Sequence, residues 1–183
     1  FVSGVRCVVD SAFLFIYCAR QYSTLYRHLF DMEAFAALLF LIALSTWVGT
    51  VVFQSAIVAP AVFAALEADS ARRFLRTLFP RFYRLGILCG ASMLVGIIAM
   101  GLVAGWSGRL PAIATLSAIM LLLQIISLKI VPLITAARDA GEAGASRFHK
   151  LHRLSVGLTV IVLLLGIIAL GIVGTSAVTA LVA

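Results

Sequence analysis

The chain has 183 residues, of which 63% are hydrophobic and only 11% are charged, and its mean hydropathy is +1.17. A soluble domain carries about 25% charged residues, so this composition excludes a water-compatible surface and indicates an integral membrane protein. The formal net charge of +7 lies in loops beside apolar runs, where orientation signals and anionic lipids explain it, so we expect no nucleic-acid partner.

The first 31 residues differ from the rest of the chain. Their one apolar run, residues 12–16, is too short to span a membrane, and no signal-peptide cleavage pattern follows it. The first methionine of the chain is Met32. We therefore expect residues 1–31 to be a leader that is non-native or poorly ordered, and residues 32–183 to form the membrane domain.

Residues 34–58 contain no charged side chain and predict the first spanning helix. As a helix this segment is about 37 Å long, which exceeds a hydrocarbon core of about 30 Å. Because Pro60 removes one backbone donor, we expect a kink there and a helical continuation to Leu66.

A basic, amphipathic segment follows the first helix. Large apolar side chains recur at helical spacing from Phe74 to Phe82, and arginines take the other positions. This pattern predicts a short interfacial helix whose apolar face lies among the acyl chains of the bilayer. The arginines expected to bind its anionic headgroups are Arg72, Arg73, Arg76 and Arg81.

Three further apolar runs predict helices over about residues 85–106, 110–134 and 151–174. The second helix carries small residues four apart, such as Gly86 and Gly90, which let helices approach closely in lipid. We expect them to serve packing within the bundle, with a homodimer seam as the alternative. The four runs together predict an all-α fold, an integral membrane bundle of four transmembrane helices plus a short interfacial amphipathic helix.

The basic residues of the loops predict an orientation. Nine of them lie in the helix 1–2 and helix 3–4 connections, whereas Arg109 alone lies in the helix 2–3 hairpin. Because basic loops stay in the cytoplasm, we expect these two connections to lie inside and both termini outside. We expect the membrane to be a bacterial inner membrane.

Several short patterns carry a resemblance to a known family. They are Trp47 and Gly49 with Phe53, Pro60 near the end of helix 1, the Phe79-Pro80 pair with Tyr83, and the F-x-x-L-H-x-x-S run of Phe148, Leu151, His152 and Ser155. In their order and spacing these residues resemble the transmembrane protein 205-like family, over about residues 34–175. The resemblance implies a four-helix membrane domain and no settled biochemical activity.

A few polar side chains within the spans predict an interior cavity. Thr50 and Gln54 lie on one face of helix 1, and helix 3 carries Gln124 and Lys129 in its cytoplasmic half. Intramembrane polar groups tend to face the bundle interior, so these residues predict a substrate-binding cavity that opens to the cytoplasm. In the alternative, the glutamines hydrogen-bond across helices as packing contacts, while Lys129 extends its ammonium group to the interface.

His149 and His152 stand three residues apart where helix 4 begins, a spacing that could hold a metal or a haem edge. No Cys, Asp or Glu is suitably close in sequence to complete such a site. We therefore expect an interfacial pair bonded to headgroups or loop carbonyls, and no cofactor. Since no nucleophile–base set, phosphate-binding glycine loop or carboxylate pair appears either, we expect no enzyme.

Three classes of function remain. The first is transport or export of a small solute or ion through the polar cavity. The second is a structural or accessory role, in which the chain docks a membrane partner or self-associates. The third is binding of a metal or a haem by the histidine pair.

Overall fold

The computed structural model describes residues 31–182, with side chains described through Thr175. Four helices in it are long and apolar enough to cross a membrane. They are α1 (Asp31–Ala65), α2 (Ala68–Ala104), α3 (Leu110–Asp139) and α4 (Ala145–Val182). No β-strand occurs in the described part of the chain. The predicted all-α membrane bundle is confirmed, and the leader expected over residues 1–31 lies, except for Asp31, outside the described residues.

α1 continues through Pro60 to Ala65, within one residue of the predicted end at Leu66. A π-turn over Gln54–Val58 precedes the proline, and there the backbone N–H of Ala59 donates to the carbonyl of Gln54, five residues earlier. A wider turn is one way for a helix to accommodate a residue that supplies no donor. The backbone of α1 thus departs from α-helical geometry just before Pro60, and the kink expected there stays a prediction.

The basic segment after α1 is not the separate interfacial helix that the sequence predicts. It forms the first turns of α2, which runs unbroken through Pro80. With 37 residues, α2 is about 55 Å long, so part of it extends beyond a hydrocarbon core of about 30 Å. Ala71 and Leu75 of this segment pack with Val62 of α1 in a small apolar core. The segment is amphipathic as expected, but protein rather than lipid covers much of its apolar face.

Close contacts at glycines define the order of the helices around the bundle. The contacts are Gly86 with Trp47 between α2 and α1, Gly90 with Leu121 between α2 and α3, and Gly166 with Val48 between α4 and α1. α3 also packs against α4. The helices therefore form a ring in the order α1–α2–α3–α4, and Gly86 and Gly90 serve packing within this bundle.

The two ends of the bundle differ in charge and in connection. At the end that we call the basic end, two residues join α1 to α2, and a 3₁₀ turn over Gly141–Gly144 connects α3 to α4. At the opposite end, residues 105–109 join α2 to α3, and we call this the hairpin end. There Arg109 donates to the Ile172 carbonyl of α4 at 3.1 Å. Because α4 begins at Ala145 and not near the predicted residue 151, both histidines lie within its first turns.

Candidate functional site

Buried polar side chains from all four helices lie at a similar depth in the bundle. Each lies ten to fifteen residues from the end of its helix at the basic end, which is about 15–23 Å of helix. We call this set the polar layer: Gln54 of α1, Tyr83 of α2, Gln124 and Ser127 of α3, and Ser155 of α4. None of the five is more than 8% exposed, so protein encloses the layer.

Tyr83 and Ser155 join the polar layer across the bundle. Although α2 and α4 lie diagonally in the ring, the Tyr83 hydroxyl lies 2.8 Å from Oγ of Ser155. Ser127 donates from Oγ to the Leu123 carbonyl, one turn earlier in α3, at 2.8 Å. These bonds satisfy three hydroxyl groups that water cannot reach in a membrane interior.

Gln124 differs from the other members of the layer. It is 2% exposed, and among the described residues its amide oxygen Oε1 has no hydrogen-bond partner. The indole Nε1 of Trp47, on α1, is likewise buried without a partner in the described part of the chain. An unpaired buried polar group costs about 1–3 kcal/mol. The bundle interior therefore holds one acceptor and one donor that no described side chain satisfies.

The structure separates the four residues that the sequence assigns to a cavity. Gln54 and Gln124 are both buried in the polar layer, but no hydrogen bond joins these two described side chains. Thr50 is half-buried and donates to the Thr46 carbonyl at 2.6 Å. Lys129 is exposed on the outer face of α3. Its location is the one that the snorkelling alternative requires.

The histidine pair lies at the basic end, beside an aromatic ring. The rings of His149 and His152 lie 5.5 Å and 5.6 Å from the Phe148 ring, centroid to centroid. The guanidinium carbon of Arg138 lies 4.4 Å from the same phenyl centroid. Within residues 31–182, no three His, Cys, Asp or Glu side chains form a group that could hold a metal ion. A metal or haem role for the pair stays a prediction.

The four arginines assigned to lipid headgroups have different neighbours. Arg76 pairs with Asp139 of α3 at 2.5 Å, whereas Arg73 bonds within α2. Arg72 and Arg81 are exposed, as are the other two. All four are therefore open to a bilayer surface, and their binding of headgroups stays a prediction.

Sequence reasoning named Tyr83 and Ser155 only as residues of the family patterns, and it did not assign Ser127 to a site. Tyr83 lies in the basic segment, where an interfacial position is the simplest interpretation. A lone serine in an apolar helix gives no indication of the direction in which it faces. The available signal is the resemblance, because its patterns contain both Tyr83 and Ser155.

A comparison with family models matches more than half of the chain. Residues 42–143 match the model described as Domain of unknown function (DUF4149). This segment includes every member of the polar layer except Ser155. No curated protein and no solved structure matches the chain.

Proposed function

Because the chain belongs to the DUF4149 family, whose domain is of unknown function, we propose its function from the geometry of its interior. The chain transports or exports a small polar solute, which binds at the polar layer. The observation that carries this proposal is the unpaired amide oxygen of Gln124 inside the enclosed bundle. Since an unpaired buried group lowers stability, its presence is better explained by a ligand than by folding.

The side chains of the layer favour a solute that is uncharged. None of the buried residues that the structure describes carries a charge, since the buried polar side chains are those of glutamine, serine and tyrosine. A buried ion without a counter-charge is far more costly than a hydrogen-bonded neutral group. The fitting solute therefore donates a hydrogen bond to Gln124 and accepts one from Trp47 or a hydroxyl group.

The π-turn of α1 supports a moving part in the same place. Gln54 is the first residue of the π-turn, so a polar-layer side chain lies where the backbone of α1 departs from α-helical geometry. π-turns of this kind are frequent at functional sites. A change in this turn would rotate Gln54 relative to Gln124 and alter access to the layer.

The finer assignments of the sequence analysis belong to the same proposal. The chain is a transmembrane protein 205-like member of its family, which is supported by the patterns around Trp47, Tyr83 and Ser155. The basic end faces the cytoplasm of a bacterial cell, which is supported by the concentration of basic residues there. No step of the proposed function is catalytic.

An accessory role, in which the chain docks a membrane partner or a second copy, is the second candidate. Its support is the density of the interior: Trp47, Met93 and Ile97 are at most 1% exposed. A protein with this role has no need for its interior to open. Access to the polar layer therefore separates the two candidates.

Gln124→Met is expected to raise the free energy of unfolding by about 1–2 kcal/mol, because it removes an unpaired acceptor and keeps the length of the side chain. The measurement is the thermal midpoint, which is the temperature at which half of the detergent-solubilised protein is lost from its size-exclusion peak. Gln54→Met is the matched control and should give no such gain, because Gln54 has no fully buried unpaired atom. A clear loss of stability in Gln124→Met would identify the glutamine as a packing contact.

Ser127→Cys is expected to react with a membrane-impermeant thiol reagent that is added on the side of the basic end. The background is a chain without Cys7, Cys18 and Cys89, in sealed vesicles of both orientations. Ser117→Cys is the matched control, because Ser117 also lies in α3, is fully buried and also donates to the carbonyl four residues earlier.

Transport predicts that Ser127→Cys reacts from the basic end and that Ser117→Cys does not, since Ser117 lies about 15 Å further along α3. The accessory role predicts that neither thiol reacts. Equal reaction of both thiols from the basic end would also contradict the proposal, because it would indicate general loosening of the bundle rather than a bounded cavity.

A further inference from the structure

A cleft of about 510 Å³ opens at the basic end of the bundle, away from the polar layer. All four helices contribute to its wall, from the last turn of α1 to the first turns of α4. Its size lies within the range of about 300–1,000 Å³ that is typical of ligand sites. The walls are chemically divided, with cationic groups on one part and apolar side chains on another.

The cationic part of the wall comes from two helices. Arg72 of α2 and Arg138 of α3 line the cleft beside His149 of α4, and no Asp or Glu is among the described residues that do. Asp139 of α3 pairs with Arg76 at 2.5 Å and also interacts electrostatically with Arg138, but it does not line the cleft. The wall thus carries two arginines and no carboxylate of its own.

The two arginines are suited to hold an anion. Arg138 stacks its guanidinium on the Phe148 ring, which fixes the group while leaving the N–H donors at its edge for a ligand. Arg72 lies 3.4 Å from Asp69, but both side chains are more than half exposed, so this pair is weak and an anion can compete with it. Guanidinium groups match the oxygens of a phosphate in geometry.

The apolar part of the wall indicates the rest of the ligand. Leu75 and Ala137 are buried at the cleft, and Phe63 of α1 and Leu66 of the α1–α2 connection are exposed beside it. A bare phosphate would leave these surfaces uncovered, whereas the glycerol and first acyl carbons of a phospholipid would cover them. Basic pockets between transmembrane helices are known to hold lipid headgroups.

We infer that this cleft is a binding site for one anionic phospholipid, whose headgroup phosphate lies between Arg72 and Arg138 and whose acyl chains leave past Phe63 of α1. The site is distinct from the polar layer and does not depend on the transport proposal. It also differs from a general attraction of basic residues to the bilayer, because only Arg72 of the four exposed arginines considered above lines it.

The test uses the full chain in vesicles of phosphatidylcholine that contain phosphatidylglycerol, followed by detergent extraction and native mass spectrometry. The wild type should retain one phosphatidylglycerol per chain. The double variant Arg72→Gln/Arg138→Gln should lose retention by about tenfold or more, because it removes two charge-assisted contacts. Arg147→Gln/Arg153→Gln is the matched control, since it removes two positive charges from the same end of the bundle at exposed residues outside the cleft.

Three outcomes would overturn the inference. Equal loss in the two double variants would indicate a diffuse electrostatic effect, and equal retention would show that the cleft binds no lipid. Displacement of the retained lipid by inorganic phosphate would show that the site takes the free anion instead. The single variant Arg72→Gln is the control for misfolding, because this exposed side chain is not needed for packing. It should reduce lipid retention and leave the thermal midpoint unchanged.

Discussion

Gly144→Ala is expected to lower the free energy of unfolding by about 3 kcal/mol, near the upper end for overpacking in a core. Gly144 is buried in the 3₁₀ turn between α3 and α4. A β-carbon there would overlap the carbonyl oxygen of Ala137. Because the obstacle is backbone rather than the flexible end of a side chain, the whole turn has to move. The measurement is the midpoint of thermal loss from the size-exclusion peak in detergent.

Gly157→Ala provides the matched control for this substitution. Gly157 lies in α4, and a β-carbon at this position meets no heavy atom within 4 Å. The expected change is zero or a gain of up to about 1 kcal/mol, because alanine is the better helix former. If the thermal midpoints of both variants changed alike, the close approach of Gly144 to α3 would not contribute to stability.

Trp47→Ala is expected to cost about 2–3 kcal/mol of unfolding free energy. Trp47 is 1% exposed, its ring lies 5.0 Å from that of Phe82, and Gly86 leaves room for its edge. Truncation of a core tryptophan typically costs about 3–5 kcal/mol. We expect a smaller loss because lipid replaces water as the solvent and because the unpaired Nε1 is removed as well.

Trp106→Ala is the control for Trp47→Ala, since the chain has two tryptophans. Trp106 is 50% exposed at the hairpin end, so its loss should cost less than about 1 kcal/mol. Both variants are measured as thermal midpoints of the same detergent-solubilised preparation. A larger loss for Trp106→Ala would place the energetic centre of the bundle at the hairpin end rather than around Trp47.

The four spanning helices could be predicted because their signal is local. A run such as residues 34–58 carries no charge, and no partner is needed to decide that it belongs in hydrocarbon. The ends of the helices were predicted less accurately. α4 begins at Ala145 rather than near residue 151, because its first turns are polar and amphipathic and pack on α3 outside the apolar run.

The basic segment shows where a local pattern has two solutions. Its alternation of arginines and large apolar side chains fits a helix that lies on a bilayer and equally fits a helix that packs on a neighbour. The contact of Ala71 and Leu75 with Val62 shows that the segment packs on a neighbouring helix, α1. No feature of the segment itself names that contact, because Val62 lies on another helix.

The sequence by itself determined that this chain is an all-α membrane bundle with one basic end, since charge and hydrophobicity act on each segment separately. Only the tertiary structure decided which polar groups face inward. It placed Gln54 and Gln124 in the interior of the bundle and Lys129 on its outer surface. It also brought the hydroxyl groups of Tyr83 and Ser155 within hydrogen-bonding distance. The physical reason is that lipid is as apolar as a protein core, so an apolar helix face does not reveal the direction of the bundle interior; the rotation of each helix is set by packing against its neighbours.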